Sequence, residues 1–309
     1  MPEHISVLLA ETLRVLAPKP GDICLDCTLG LGGHSEALLN KVLPGGALVG
    51  LDADRKNLSL ATKRLESFAD DVTLVHANFR EIPTCLPANA TKFDIILADL
   101  GLSSPHIDSP ERGFTFRSDS ELDMRFDQTS GMTAAMFIAS VDRVTLRDVF
   151  NKYGEIPSAH RLTDALIERR TSNPVRRSGD LVDVAKSVYA YKANDYLPQI
   201  FQALRIAVND EVGALEHFLR EAPLLLKPGG RLAVISYHSL EDRLTKHVMK
   251  SLSTAEKDVI TGAVARSADF EILTPKPIGP SADEITKNPR SRSARLRAIR
   301  ASLLYTPHP

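Results

Sequence analysis

Between a short apolar run at 23–26 and a helix-like pattern, the chain carries Thr28-Leu29-Gly30-Leu31-Gly32-Gly33-His34-Ser35, and Asp52 closes the next apolar run. Glycines on a strand-to-helix turn let the backbone approach a ligand, and an acid ending the second strand accepts hydrogen bonds from both hydroxyls of a ribose. A dinucleotide fingerprint continues G-x-G-x-x-G, so that backbone N–H groups face a pyrophosphate. Here the glycines are 30, 32 and 33, and position 35 is serine. Asp26 borders the same loop, and a carboxylate there suits a cationic amino-acid group better than a diphosphate. S-adenosylmethionine (SAM) meets both requirements, with Gly30, Gly32, Gly33 and Asp52 as candidate contacts. For the loop alone, a tight turn that merely packs a helix on a strand is the alternative.

A further apolar run at 93–98 leads into Asp99-Leu100-Gly101-Leu102-Ser103-Ser104-Pro105-His106. Ligands of open α/β sheets bind beyond the carboxyl ends of the strands, which puts Asp99 in the crevice with the loop and Asp52. By itself Asp99 would read as a helix cap. The run at 231–236 follows Lys227-Pro228-Gly229-Gly230 and enters Ser236-Tyr237-His238-Ser239-Leu240-Glu241-Asp242-Arg243. His238 is a candidate base or substrate ligand, or an ordinary loop histidine. Arg243 reads as a phosphate contact or a solvated helix residue. Arg112-Gly113-Phe114-Thr115-Phe116 and Leu122-Asp123-Met124-Arg125-Phe126 set aromatics beside arginines. Such a mixture stacks on unpaired bases and holds phosphates, and the same aromatics serve equally well as a local core.

The elements that must position these residues follow from periodicity. Short aliphatic and β-branched runs predict five buried parallel strands at 22–25, 47–52, 72–76, 93–98 and 231–236. Helical patterns at 34–43 and 56–68 alternate with the first four, which predicts an α/β fold with a doubly wound, mostly parallel sheet. About 130 residues separate the last two strands, far more than one crossover needs. The segment 200–226 carries Phe201, Leu204, Val208, Val212, Leu215 and Phe218 at helical spacing and reads as one crossover helix. The expected organisation is therefore a discontinuous domain at 1–107 and 200–309, with a small helical substrate-recognition domain inserted at 108–199. Helices are expected inside it at 146–150, 159–170 and 181–191. The stretch 252–286 reads as an irregular strap over the sheet.

With 309 residues, 43% of them hydrophobic, the chain can bury a sizeable core. The apolar runs are too short to span a bilayer, and the N-terminus lacks a basic segment followed by an apolar one, so a cytoplasmic protein with no membrane partner is expected. Cys24 and Cys27 form a C-x-x-C inside and just beyond a strand, with no second pair for zinc, and read as core packing. No cluster of metal ligands is seen. The net charge of −1 is uneven: residues 287–300 hold one lysine, five arginines and no acid, leaving −7 elsewhere. Six uncompensated cations favour RNA, while a solvated helix end or disordered extension is the plainer reading.

Taken together, these motifs closely resemble the bacterial 16S ribosomal RNA cytosine-N4 methyltransferases, the MraW family. The likeness runs through His4-Ile5-Ser6-Val7-Leu8-Leu9 with Glu11, Gly-Leu-Gly-Gly-His-Ser at 30–35, the 99–105 run, Glu111-Arg112-Gly113-Phe114 and Leu122-Asp123-Met124-Arg125. It continues through Tyr153-Gly154-Glu155, Gln202-Ala203-Leu204-Arg205-Ile206, the 236–243 run and Asn288-Pro289-Arg290-Ser291-Arg292-Ser293. The resemblance implies a class I SAM-dependent methyltransferase with a Rossmann-like domain interrupted by a helical one. It further implies methylation of the N4 amine of a cytidine in the decoding region of 16S ribosomal RNA, with the small ribosomal subunit as partner. Carried over residue by residue, the SAM contacts are Gly32, Gly33, His34, Asp52, Phe79, Asp99 and His106, the last where many relatives have glutamine.

The expected catalytic acceptor is Asp99 or a backbone carbonyl at 100–104, with Ser103, Ser104 and His238 holding the cytidine. Arg112, Phe114, Arg125, Arg243, Arg290, Arg292 and Arg295 are the expected RNA contacts. A SAM-binding RNA chaperone or assembly factor without catalysis, a methyltransferase of proteins or small molecules, and a nicotinamide dehydrogenase are the rival readings. A homodimer is left open.

Overall fold

Strands covered by helices on both faces must be apolar in both directions; the first, second and fourth runs satisfy this, whereas the third, 72–76, is a half-buried edge strand with Thr73 exposed, not the buried strand expected. The computed structural model describes residues 6–90, 92–257 and 264–306, so His4 and Ile5 of the opening motif lie outside it. After α1 (Leu9–Leu16), the chain alternates β1 (Ile23–Asp26), α2 (Gly33–Val42), β2 (Ala47–Asp52), α3 (Arg55–Arg64), β3 (Val72–His76) and β4 (Phe93–Asp99). Six helices follow: α4 (Ser104–Asp108), α5 (Ala134–Ser140), α6 (Arg143–Gly154), α7 (Ala159–Ser172), α8 (Ser178–Tyr189) and α9 (Ala193–Asn209). The chain then forms α10 (Glu211–Glu221), β5 (Leu226–Ser236), α11 (Ser239–Leu252), β6 (Glu256–Lys257), β7 (Val264–Arg266), β8 (Phe270–Ile272), α12 (Ala282–Lys287) and β9 (Arg295–Ala301).

The seven-stranded sheet has the order β3-β2-β1-β4-β5-β9-β8, with β6 and β7 forming a separate two-stranded ribbon. The first five strands are parallel and β9 runs antiparallel to both β5 and β8. Strand order reverses between β1 and β4, the switch point at which such sheets open a crevice. Along β4, Ile96 and Ala98 enter the core on one face of the sheet while Ile95 and Leu97 enter the core on the other. Among the described residues no helix is long and apolar enough to cross a membrane.

The chain divides into two compact units, one holding the residues up to Gly101 and from Gly213 onward, the other Leu102–Val212. The second unit is helical, with Leu146, Phe150, Leu162, Leu166, Leu181, Phe201 and Leu204 in its core. It starts at Leu102 rather than the expected 108, and it ends at Val212 rather than the expected 199 because 200–226 is not one helix. Asp210 takes a left-handed conformation, φ 46° and ψ 47°, between α9 and α10. This conformation is among those Asn and Asp tolerate best. Phe201 and Leu204 therefore serve the helical unit, whereas Leu215 and Phe218 pack in the sheet's core.

The expected strap and basic tail are also corrected. Part of 252–286 is β8, an edge strand, and residues 258–263 lie outside the described residues. The latter half of the arginine-rich end is β9, inside the sheet, while Arg290 and Arg292 sit on the exposed turn before it. Arg297 is 7% exposed, donating from Nε and Nη2 to Asp242 at 2.6 and 3.2 Å. Arg295 reaches the same carboxylate at 3.0 Å, and Arg300 pairs with Glu271. Cys24 and Cys27 are buried in the core, which pushes both thiols up, so core packing is their role.

Candidate active site

All three acids at the strand ends are tied to the glycine loop. Thr28 N–H donates to Asp26 Oδ1 at 3.1 Å, and Gly30 N–H donates to Asp52 Oδ2 at 2.8 Å. Asp99 N–H donates to Thr28 Oγ1 at 2.6 Å. The loop closes at Gly32, whose φ of 79° disfavours any side chain, and enters α2 at Gly33. A Cβ on Gly33 would lie 2.1 Å from Ser6 Oγ, so a side chain there would force the Ser6 hydroxyl out of its place. Ser35 Oγ in the first turn donates to Asp26 Oδ2 at 2.7 Å. Asp26 is thus buried and held, and burial raises its pKa despite the Ser35 bond.

Asp52 accepts from Gly30, from Asp54 N–H at 2.7 Å and, at longer range, from Asn57 Nδ2. Burial pushes it up to about 7 against the lowering pull of those bonds. The short backbone bonds use one acceptor direction on each oxygen, leaving each oxygen able to take a hydroxyl donor. Asp99 is gripped from two sides: Tyr237 O–H donates to Oδ1 at 2.9 Å, and His34 Nε2 is 3.5 Å from Oδ2. Burial opposes a charged His34, but Asp99 and then Asp26 outweigh it and the imidazole's pKa is raised. The Tyr237 hydroxyl, buried beside a carboxylate, is pushed far up and stays a donor. Phe79, on the turn after β3, meets Phe218 edge-on at 5.6 Å.

A diphosphate would add negative charge to three carboxylates, whereas a sulfonium with an ammonium group adds positive charge and a ribose adds donors for Asp52. The residues present therefore fit SAM. A model of the MraW methylase family matches residues 1–302. The chain belongs to that family.

The ribosomal RNA small subunit methyltransferase H of Heliobacterium mobile is 42% identical over 303 residues, 95% of this chain and 97% of that protein. That of Symbiobacterium thermophilum is 40% identical, covering 96% of each. A Nostoc species has one that is 42% identical, covering 95% of this chain and 91% of the relative. Among solved structures, an rRNA methylase from Streptococcus thermophilus is 12% identical with a TM-score of 0.43, over 97% of this chain and 99% of that one. Like other MraW methylases, the protein uses SAM as its methyl donor.

Several residues expected to touch RNA have other duties in this MraW chain. Arg112, 2% exposed, donates from Nη2 to the carbonyls of Arg125 and Phe126 at 2.8 and 3.1 Å, and its burial excludes a phosphate contact. Phe114 is 9% exposed, stacked on Phe126 at 5.8 Å and against His106 at 5.1 Å, so its aromatics are core. Arg125 grips Asp123 through Nε and Nη2 and spends Nη1 on the carbonyls of Ser130 and Gly131, bracing the 123–131 loop instead of a phosphate.

His238 is the N-cap of α11. Its Nδ1 accepts from Glu241 N–H at 3.4 Å, and the buried Nε2 lies 3.0 Å from Glu241 Oε1 without a hydrogen bond, so the ring caps its own helix. Ser103 and Ser104 open α4 in the helical unit, where Ser103 Oγ is 3.0 Å from Nδ1 of the buried His106. Arg243, Arg290 and Arg292 are exposed. Tyr237 and Thr28 went unnoticed in the sequence. The pairing of Asp99 with Ile235 puts Tyr237, two residues on, beside Asp99, and only the order of the strands reveals this.

Proposed function

We propose that the protein methylates the exocyclic N4 amine of a cytidine in the decoding region of 16S ribosomal RNA. Relatives matching end to end are small-subunit ribosomal RNA methyltransferases, which supports the RNA substrate. The observation that carries the amine reading is Asp99, a hydrogen-bond acceptor fixed at the crevice rim by Tyr237 and Thr28. SAM, when bound, supplies an electrophilic methyl group.

Cytosine's amine is a poor nucleophile because its lone pair is delocalised into the ring. Asp99 accepts one amine hydrogen and turns the nitrogen toward a tetrahedral shape, with its lone pair directed at the methyl group. Tyr237 and His34 hold the carboxylate so that this geometry exists before the substrate arrives. Transfer leaves the proton on the nitrogen, next to Asp99, from which it passes to water. The base must leave its stack to reach the rim, and we assign the helical unit to presenting it. Methylation at ring carbon five needs a cysteine nucleophile. Cys24 and Cys27 are buried in the core, and burial raises the Cys85 thiol as well.

Mass spectrometry of ribosomal RNA from cells with and without the protein tests this reading. The expected loss is one methyl group from one cytidine N4. Unchanged RNA, or loss of a methyl from another atom, overturns it. With purified protein, Asp99→Asn is expected to bind SAM yet lose turnover.

A further inference from the structure

The outer face of α11 carries a stripe of positive charge that neither the fold nor the methyl-transfer site uses. Ser239, Arg243, Lys246, His247 and Lys250 are its exposed residues and share one helix face by their three-or-four spacing. Its two acids, Glu241 and Asp242, are buried and committed to His238 and to Arg297 with Arg295. Among the described residues no carboxylate is ion-paired with Arg243, Lys246 or Lys250. The single charge of Asp242 is shared between two arginines, and Arg295, with its side chain 54% exposed, extends the positive field beside the first turn.

A solvated helix face ordinarily interleaves acids with bases, because like charges one turn apart repel by a few tenths of a kcal/mol. Lys246 with Lys250 is such a pair, and Arg243 near the positive end of the helix dipole adds to the cost. The chain as a whole is not basic, with a net charge of −1, so the stripe is a local choice. Its charges begin at Arg243, six residues after Tyr237, which binds Asp99, and run to Lys250, about 10 Å along the helix at the α-helical rise.

We propose that this face of α11 docks the phosphate backbone of the RNA substrate, leading it to the rim where Asp99 stands. The proposal rests on the RNA reading above. A polyanion meets the self-repelling cations without requiring any side chain to move from a partner.

The test is direct binding of a bare 16S ribosomal RNA transcript to the full-length Lys246→Gln/Lys250→Gln variant across a salt series, beside methyl transfer and SAM binding. Two lost phosphate contacts are expected to lower the slope of log affinity against log salt by roughly 1.4 to 1.8 and to weaken binding roughly 15- to 30-fold at physiological salt. SAM affinity and turnover at saturating RNA are expected to be unchanged, and Lys246→Arg/Lys250→Arg to restore the slope. An unchanged slope overturns the proposal, as does weakened binding to an acidic protein of the subunit while bare RNA is unaffected. If the wild-type protein binds the transcript but leaves cytidine N4 unmodified, the function reading fails and the slope still decides the docking face.

Discussion

Binding of the cofactor's ribose is expected to depend on the protonation of Asp52, and the dependence can be worked out from the site. Burial lifts this carboxyl to about 7, and a ribose diol needs it as the acceptor-only carboxylate. Affinity should therefore fall tenfold per unit below pH 7 and level off above it, about 100-fold weaker at pH 5 than on the plateau. Adenosine is the suitable probe, since it carries the diol without the amino-acid groups of SAM that would titrate themselves. Isothermal calorimetry from pH 5 to 9 should show one proton released per adenosine bound at pH 6 and almost none at pH 8.5. Asp52→Asn should flatten the profile and lower plateau affinity by about 1.5–3 kcal/mol, the value of hydrogen bonds to a charged group. The raised imidazole of His34 remains in that variant, which separates the two groups. A flat profile in the wild type, or an unaltered slope in Asp52→Asn, refutes the reasoning.

Three further outcomes follow from the contacts. Tyr237→Phe keeps the ring but removes the donor to Asp99, and is expected to lower kcat by about 1.5–3 kcal/mol of barrier while leaving the KM for SAM nearly unchanged; a shift in KM alone would contradict the positioning role. Gly33→Ala sets a methyl against Ser6 Oγ and should destabilise the fold by about 1–3 kcal/mol in a thermal melt, with Ser6→Gly recovering much of it. Asp242→Asn leaves Arg297 buried without its counter-charge and should cost about 3–5 kcal/mol in urea unfolding, whereas loss of Arg295 should cost far less.

The central parallel strands were legible because each is apolar on both faces, and β3, half-buried at the edge, because of its aliphatic residues; β2 and β3 coincide with their expected limits. β9 was hidden because its signal is masked by arginines, one of them buried only by virtue of a carboxylate 55 residues away. No local pattern announces such a partner. The single-helix reading of 200–226 failed for the opposite reason, since an unbroken apolar period continues across Asp210 while the backbone turns there. In the site, the acids and glycines were readable as types at strand ends. Tyr237 required knowing that β5 lies beside β4, and Arg112 required knowing that its guanidinium faces carbonyls inside the helical unit.

The positions of the two acids assign them different kinetic roles. On the proposed function, Asp52, tied to Gly30 and Asp54, meets groups of the donor that do not change during transfer, so its bonds are equal in the ground and transition states. Such uniform binding lowers the KM for SAM without raising kcat. On the proposed function, Asp99 stands where a neutral amine becomes cationic, so its attraction grows as the new bond forms. Asp99→Asn is therefore expected to lower kcat and kcat/KM together, and Asp52→Asn to raise KM with kcat nearly intact at saturating SAM. Single-turnover measurements on the two variants separate these patterns. The reverse assignment would place the amine at the second strand rather than the fourth, and the geometry around Tyr237 would then have no catalytic purpose.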